Sequence, residues 1–434
     1  MNILMMTNTY WPHVGGVARS VAAFAACYRA RGHSVLVVAP EFPGTPSDES
    51  DVVRIPAIQN FNGSDFSVVL WIPGHLERAV RHFEPDIVHS HHPFLVGSAA
   101  LRLASWQSCP LVFTHHTMYE DYTHYVPGDS EALKRFVVRL STSYANLCDR
   151  VFAPSESIAG ILGERGVTTP IDVVPTGVAT ADFADGDGQR IRDWLGIPGD
   201  APVVGHLGRL APEKNLTFLA QALARLASAR SEVHCLVVGS GPSRDDMARV
   251  FEEAGVRERL HFAGQLSGHD LVAAYHAMDV FAFASRTETQ GMVLAEAMAA
   301  GLPVVALDAP GAREVVRDGV NGRLLATPDT DAFAEAAAAL LALDDAKRSP
   351  YREAVAATAE HFDMQRCADR ALSVYQRLEA GASWDESEHD AWHRNLRRIR
   401  AEWDLIKGMA QAAGAAASVS EDEPEEGGDD PNAL

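Results

Sequence analysis

The 434-residue chain is poor in cysteine, short of positive charge and free of long apolar runs. Its five cysteines (Cys27, Cys109, Cys148, Cys235 and Cys367) are odd in number, scattered, and never spaced as CxxC. That spacing excludes a disulfide framework or a zinc ribbon and fits a reducing compartment. Lysine plus arginine number 37 against 58 acids, a formal charge of -21. A balance that acidic argues against a nucleic-acid binder, whose footprint is basic. Seven of the acids fall in Glu421–Asp430, so the remainder is less extreme. No stretch approaches ~20 consecutive apolar residues, so no transmembrane helix is expected. The opening MNILMMTNTYW lacks the basic region, apolar core and cleavage site of a signal peptide and reads as a first strand. A cytoplasmic protein is expected. What is present is ordinary globular material, 47% hydrophobic and 22% charged, enough for two or three domains at ~100–200 residues each.

Short apolar runs alternate with helical spacing along the first third. Strands are expected at Ile3–Met6, Val35–Ala39, Ile87–His89, Leu111–Thr114 and Arg150–Ala153, with helices over Val17–Arg31, Gly74–Phe83, Val96–Trp106 and Glu131–Cys148. Such alternation implies parallel βαβ units buried on both faces. The pattern pauses in a Gly- and Asp-rich segment, 179–200, and restarts at Val203–Leu207. The expected architecture is therefore α/β: two doubly wound domains facing a cleft, 1–178 and 201–350, joined by a linker at 179–200. Helices at 351–380 follow and cross back to the first domain. Residues 381–410 read as an amphipathic helical extension, with Trp392, Leu396, Ile399, Trp403 and Ile406 near one stripe, and 411–434 as a disordered acidic tail. Ligands of doubly wound folds bind at the carboxyl ends of the strands.

Four motifs lie at such ends. Gly15-Gly16-Val17 opens a helix, where exposed N–H groups and a positive helix end can approach an anion, although the GxGxxG spacing of a dinucleotide site is missing. Gly208–Asn215 (GRLAPEKN) places Arg209 and Lys214 near a helix start, where two cations repel the dipole unless an anion, such as a diphosphate, is bound. In Thr287–Met298 (TETQGMVLAEAM), Glu288 and Glu296 stand eight positions apart, about two helical turns. Glu296 falls among apolar residues and needs donors, which the vicinal hydroxyls of a ribose would supply. The free N–H groups of Gln290, Gly291 and Met292 suit a sugar or a phosphate. The fourth motif is histidine-rich: His89-Ser90-His91-His92 and Thr114-His115-His116-Thr117, followed by Tyr119, Tyr122 and Tyr125. No cysteine or HExxH spacing accompanies these histidines, so they read as hydrogen-bonding and packing groups; no metal and no cofactor is expected. The tyrosines suggest an aromatic substrate rim, with core packing as the alternative. Asp185-Gly186-Asp187 imitates a metal-binding DxD but lies in the linker and reads as a solvated turn.

Together, GRLAPEKN and TETQGMVLAEAMAAGLPVV resemble the retaining glycosyltransferase family 4, of GT-B fold, over most of residues 1–380. The resemblance implies that Arg209 and Lys214 bind a donor diphosphate with the Gly15-Gly16 loop, and that Glu296 binds the ribose. It implies that Glu288, with the backbone of Gln290, Gly291 and Met292, holds the transferred sugar, and that His116 stands beside sugar and acceptor. The segments TNTYWPHVGGVARSV, HSHHPFLVG and THHTMYEDYTHYVP look most like bacterial diacylglycerol glucosyltransferases, and more loosely like lipid mannosyltransferases. The implied partners are a nucleotide sugar, UDP-glucose favoured, a lipid acceptor, and an anionic membrane surface contacted peripherally. The helix carrying Lys134-Arg135-Phe136-Val137-Val138-Arg139 and the segment Asp390–Met409 mix basic and apolar residues as interfacial helices do. A GDP-mannose donor or a soluble acceptor is the alternative. A sugar-nucleotide epimerase lacks support from these motifs, and a non-catalytic sensor would have no use for His116 and the tyrosines.

Overall fold

The computed structural model describes residues 1–12, 15–46, 49–58, 68–69, 74–120, 130–286 and 288–382. The first domain runs β1 (Asn2–Met6), α1 (Gly16–Ala30), β2 (Ser34–Pro40), β3 (Val52–Ile55), a short antiparallel pair β4 (Ala57–Ile58) and β5 (Val68–Val69), α2 (Gly74–Phe83), β6 (Ile87–Ser90), α3 (Val96–Gln107), β7 (Leu111–Thr114), α4 (Glu131–Ala145), β8 (Arg150–Ala153), α5 (Glu156–Glu164) and β9 (Ile171–Val173). Its sheet is parallel and seven-stranded, ordered β3-β2-β1-β6-β7-β8-β9. Helices cover both faces, so the central strands are apolar throughout rather than alternating. Ile3, Leu4, Met5 and Met6 are all fully buried, and Ile3 pairs with Val35 and Ile87.

The second domain runs α6 (Gly188–Leu195), β10 (Val203–Leu207), α7 (Leu216–Ala229), β11 (His234–Val238), α8 (Arg244–Glu253), β12 (Leu260–Gly264), α9 (Gly268–His276), β13 (Val280–Phe283), α10 (Met292–Ala299), β14 (Val304–Leu307), α11 (Pro310–Arg313), β15 (Gly322–Leu325), α12 (Thr330–Leu341) and α13 (Asp345–His361). Its parallel sheet is ordered β12-β11-β10-β13-β14-β15. Two doubly wound domains are thus present, with their β1- and β10-centred switch points on the cleft. Among the described residues, no helix is long and apolar enough to cross a membrane.

The segment 179–200 is more ordered than a linker. It forms a short turn of helix at Thr180–Phe183 and then α6, which packs on α9, with Ile191 of the helix and Ile197 just after it buried in the second domain's core. The Asp187 carboxylate accepts from the Arg190 N–H at 3.1 Å and so caps α6, a turn-and-cap role for the DxD lookalike.

The last described helix, α14 (Met364–Ala382), returns to the first domain and packs on α1, its Tyr375, Ala371 and Cys367 fully buried in that core. Both crossings between domains occur at one place. The Val178 N–H donates to Phe362 O at 2.8 Å, and the Met364 N–H donates to Val178 O at 2.9 Å. Gly177 makes this approach feasible, because a Cβ there would lie 2.4 Å from Met364 Cα. Apart from the end of α14, residues 381–434 lie outside the described residues, and with them the amphipathic extension and acidic tail.

Candidate active site

Two helices present uncapped N-termini to the cleft. Gly15 precedes α1 and Gly291 precedes α10, and neither helix gains a side-chain cap. Their first-turn N–H groups are left for water or a ligand. Gly291 adopts φ +69°, and a Cβ would lie 2.8 Å from Leu294 Cδ1. Left-handed backbone and crowding both select glycine there.

The cations of GRLAPEKN already have carboxylate partners. Arg209 pairs with Glu213, and Lys214 pairs with Glu288 across the gap between the loop after β10 and the loop after β13. The expected repulsion of the helix dipole by two lone cations is therefore relieved internally. The Glu288 carbonyl accepts from the Gly311 N–H at 3.0 Å, which fixes the loop against α11.

Glu296 is fully buried, and both its oxygens are engaged. Arg19, one turn into α1 of the opposite domain, donates to Oε1 at 2.6 Å. The Tyr275 hydroxyl, from α9, donates to Oε2 at 2.8 Å. Burial and the adjacent carboxylate hold that phenol protonated, far above its ordinary range. Neither partner is evident from sequence spacing: Arg19 is far along the chain, and no helix was expected over Gly268–His276.

The segment Glu288–Gln290 is the seam between domains. The Thr289 hydroxyl donates to His116 O at 3.0 Å, and Ser155 Oγ donates to Thr289 O at 2.9 Å. The buried Gln290 side chain pairs with the backbone of Thr176, accepting from its N–H at 2.5 Å and donating to its carbonyl. The Gln290 amide thus holds the domains together.

His116 is half-buried at the end of β7. Its Nε2 lies 2.9 Å from Nδ1 of the buried His91, with the two rings within 26° of coplanar. His91 in turn packs on His89 at 4.1 Å between centroids. His89 bonds Tyr375 of α14 through Nδ1 at 2.5 Å and Thr114 through Nε2 at 2.7 Å. His92 Nδ1 accepts from the Asn8 N–H at 3.1 Å. Burial drives all these imidazoles toward the neutral form: His89 and His92 fall to about 3 and His115 to about 4, with His91 and His116 also well below 6.5, lowered further by their histidine neighbours. Among the described residues, no group of three or more His, Cys, Asp or Glu is arranged to hold a metal ion.

Tyr119 does not form an open rim. It is buried edge-on against Phe94 and His115, and its hydroxyl has no hydrogen-bond partner among the described residues. Packing took it, as its place beside the β7 core allows. Tyr122 and Tyr125 lie outside the described residues.

The family model for glycosyl transferases group 1 matches residues 187–360, and that for Glycosyltransferase Family 4 matches residues 14–182. A GDP-mannose-dependent alpha-mannosyltransferase of Mycolicibacterium smegmatis is 32% identical over 344 residues, 77% of this chain and 86% of that protein. The chain is a family 4 glycosyltransferase. An alpha-monoglucosyldiacylglycerol synthase of Streptococcus pneumoniae is 28% identical over 341 residues, 75% of each chain. Among solved structures, Anabaena HepE in complex with UDP superposes with a TM-score of 0.68 at 22% identity, over 87% of this chain and 100% of that one. This glycosyltransferase has the GT-B fold and moves sugar from a nucleotide sugar.

Proposed function

We propose that the enzyme transfers a hexose, with UDP-glucose the favoured donor, to a lipid acceptor such as diacylglycerol at a membrane surface, retaining configuration at the anomeric carbon. One observation carries the reading. Glu288 engages Lys214 on the donor side, while its neighbour Thr289 bonds His116 of the opposite domain. If Lys214 binds phosphate and His116 stands by the acceptor, the two sides of the reaction meet on one loop.

In this reading the donor diphosphate lies against Arg209, Lys214 and the open N-termini of α1 and α10, which stabilise charge developing on the leaving group. Glu296 takes the ribose hydroxyls. Glu288 and the backbone of Gln290, Gly291 and Met292 hold the sugar, with His116 beside it. The leaving phosphate oxygen accepts the acceptor's proton, so the scheme needs no metal and no strong protein base. The lipid acceptor is supported by the diacylglycerol synthase relatives and by α4, where Phe136, Val137 and Val138 remain half-exposed among Lys134, Arg135 and Arg139. Such a face suits an anionic bilayer.

The 32% identity to a GDP-mannose-dependent enzyme favours GDP-mannose as the second reading. Nucleotide release distinguishes the two, measured over UDP- and GDP-sugars with diacylglycerol vesicles, a soluble sugar, or neither. Release from UDP-glucose only with vesicles is the expected result. Release only with the soluble acceptor removes the lipid assignment, and release only from GDP-mannose replaces the donor.

A further inference from the structure

The histidine pair at the seam has an asymmetry that decides which way its proton points. His91 Nδ1 and His116 Nε2 face each other at 2.9 Å, and both rings are held neutral by burial. One nitrogen of the pair must therefore carry the hydrogen and the other a lone pair. The other nitrogen of His91, Nε2, is buried with no partner among the described residues. If His91 accepted from His116, that Nε2 would be a buried N–H with nothing to donate to. If His91 donates, Nε2 is only a bare lone pair. Orphaned buried N–H groups are the rarer and costlier defect.

We infer that His91 is a positioning residue: it donates Nδ1–H to His116 Nε2 and so fixes His116 as the Nδ1–H tautomer, a hydrogen-bond donor toward the cleft. His91 is held in place by the ring of His89, itself tied to Tyr375 and Thr114. The backbone of His116 is held separately, by the Thr289 hydroxyl. His116 Nδ1, the ring nitrogen left for a ligand, then offers a hydrogen and has no lone pair with which to take one. Resting on the role proposed for His116, this makes it a donor to a sugar or acceptor oxygen rather than a general base. It agrees with a mechanism in which the leaving phosphate removes the proton.

The test labels histidine with nitrogen-15 in the full chain and reads long-range proton–nitrogen correlations, with His116 assigned by the signal lost in His116→Gln. Nδ1 protonated and Nε2 unprotonated at His116 is the expected result. The opposite tautomer, or an average of the two, overturns the inference. This arm needs no substrate, so it stands or falls separately from the proposed activity. In transfer assays, His91→Asn keeps an N–H near the Nδ1 position and should retain kcat within ~3-fold, whereas His91→Leu should lose ~10–100-fold in kcat with the donor KM unchanged. A His91→Leu enzyme with wild-type kcat, or an equal loss in both variants, also overturns it.

Discussion

Arg19 of the first domain and Glu296 of the second are joined across the cleft by a 2.6 Å ion pair, and Glu296 has no exposed surface of its own. The carboxylate proposed for ribose binding is already satisfied without ribose. In the proposed reading a donor ribose competes with the Arg19 guanidinium for this carboxylate, and the energy of that contact opposes donor binding. Arg19→Ala should lower donor-free stability by about 1–2 kcal/mol, the pair being partly exposed. The same variant should bind UDP about 5–30-fold more tightly, because the linked free energies match. Calorimetric titration with UDP and denaturant melts with and without UDP check both halves. Weaker UDP binding would show that Arg19 serves the bound state instead.

Lys214→Ala and Glu288→Ala should each reduce transfer by ~10²-fold or more, since in the proposed mechanism both act where charge and sugar are stabilised. The two residues touch, so their effects should not add in the double variant. Near-normal turnover by either folded single variant removes that residue from the site.

Gly177→Ala puts a methyl group within 2.4 Å of Met364 Cα, a backbone atom that cannot turn aside. A loss of ~1–3 kcal/mol is expected from such overpacking. The hydrogen bonds that tie Val178 to Phe362 and Met364 should also loosen, visible as faster hydrogen exchange at the Val178 and Met364 amides. Unchanged exchange and unchanged stability would refute the crowding argument.

Acid should weaken both domains, since His206 of the second is also buried and lowered to about 4, and the first more steeply because its buried histidines are more numerous. His89, His92 and His115 are buried with pKa values near 3, 3 and 4, against 6.5 when unfolded. A lowered folded pKa means the unfolded chain binds more protons between those values, so stability is full above pH 6.5 and falls as pH drops below it. Each such histidine contributes up to about 1.4 kcal/mol per pH unit in that window. Urea midpoints at pH 7.5, 6 and 5 should decline steadily, and a flat profile would count against buried neutral rings.

The strands and the motif helices were legible because buried parallel strands are continuous runs such as VLVVA, and because glycine and paired carboxylates punctuate the loops after them. Strands β3, β4, β5 and β9 and helices α5, α6, α9, α11 and α12 were not anticipated. Strands β3 and β9 are short and lie at the sheet edges, where the apolar signal is weakest. At the site, sequence named Glu296 and asked what donors it would find. It could not name Arg19 or Tyr275, because a contact spanning two domains leaves no local periodicity. Tyr119 shows the converse: an aromatic in a cleft-side loop looks like a rim, yet Phe94 and His115 close over it. His91 and His116 were both visible as residues, while their shared hydrogen depends on a third dimension that spacing does not carry.

The return of α14 gives the first domain an unusual timetable. Its seven strands are complete by Val173, yet the core around Tyr28 and Phe152 is finished only when Tyr375 is laid against it. At a synthesis rate of ~5–20 residues per second, the ribosome takes roughly 10–40 s to make the intervening chain. The second domain is built wholly within that interval. The half made first is thus sealed last, and its histidine cluster waits, open to water on one side, for a helix not yet translated.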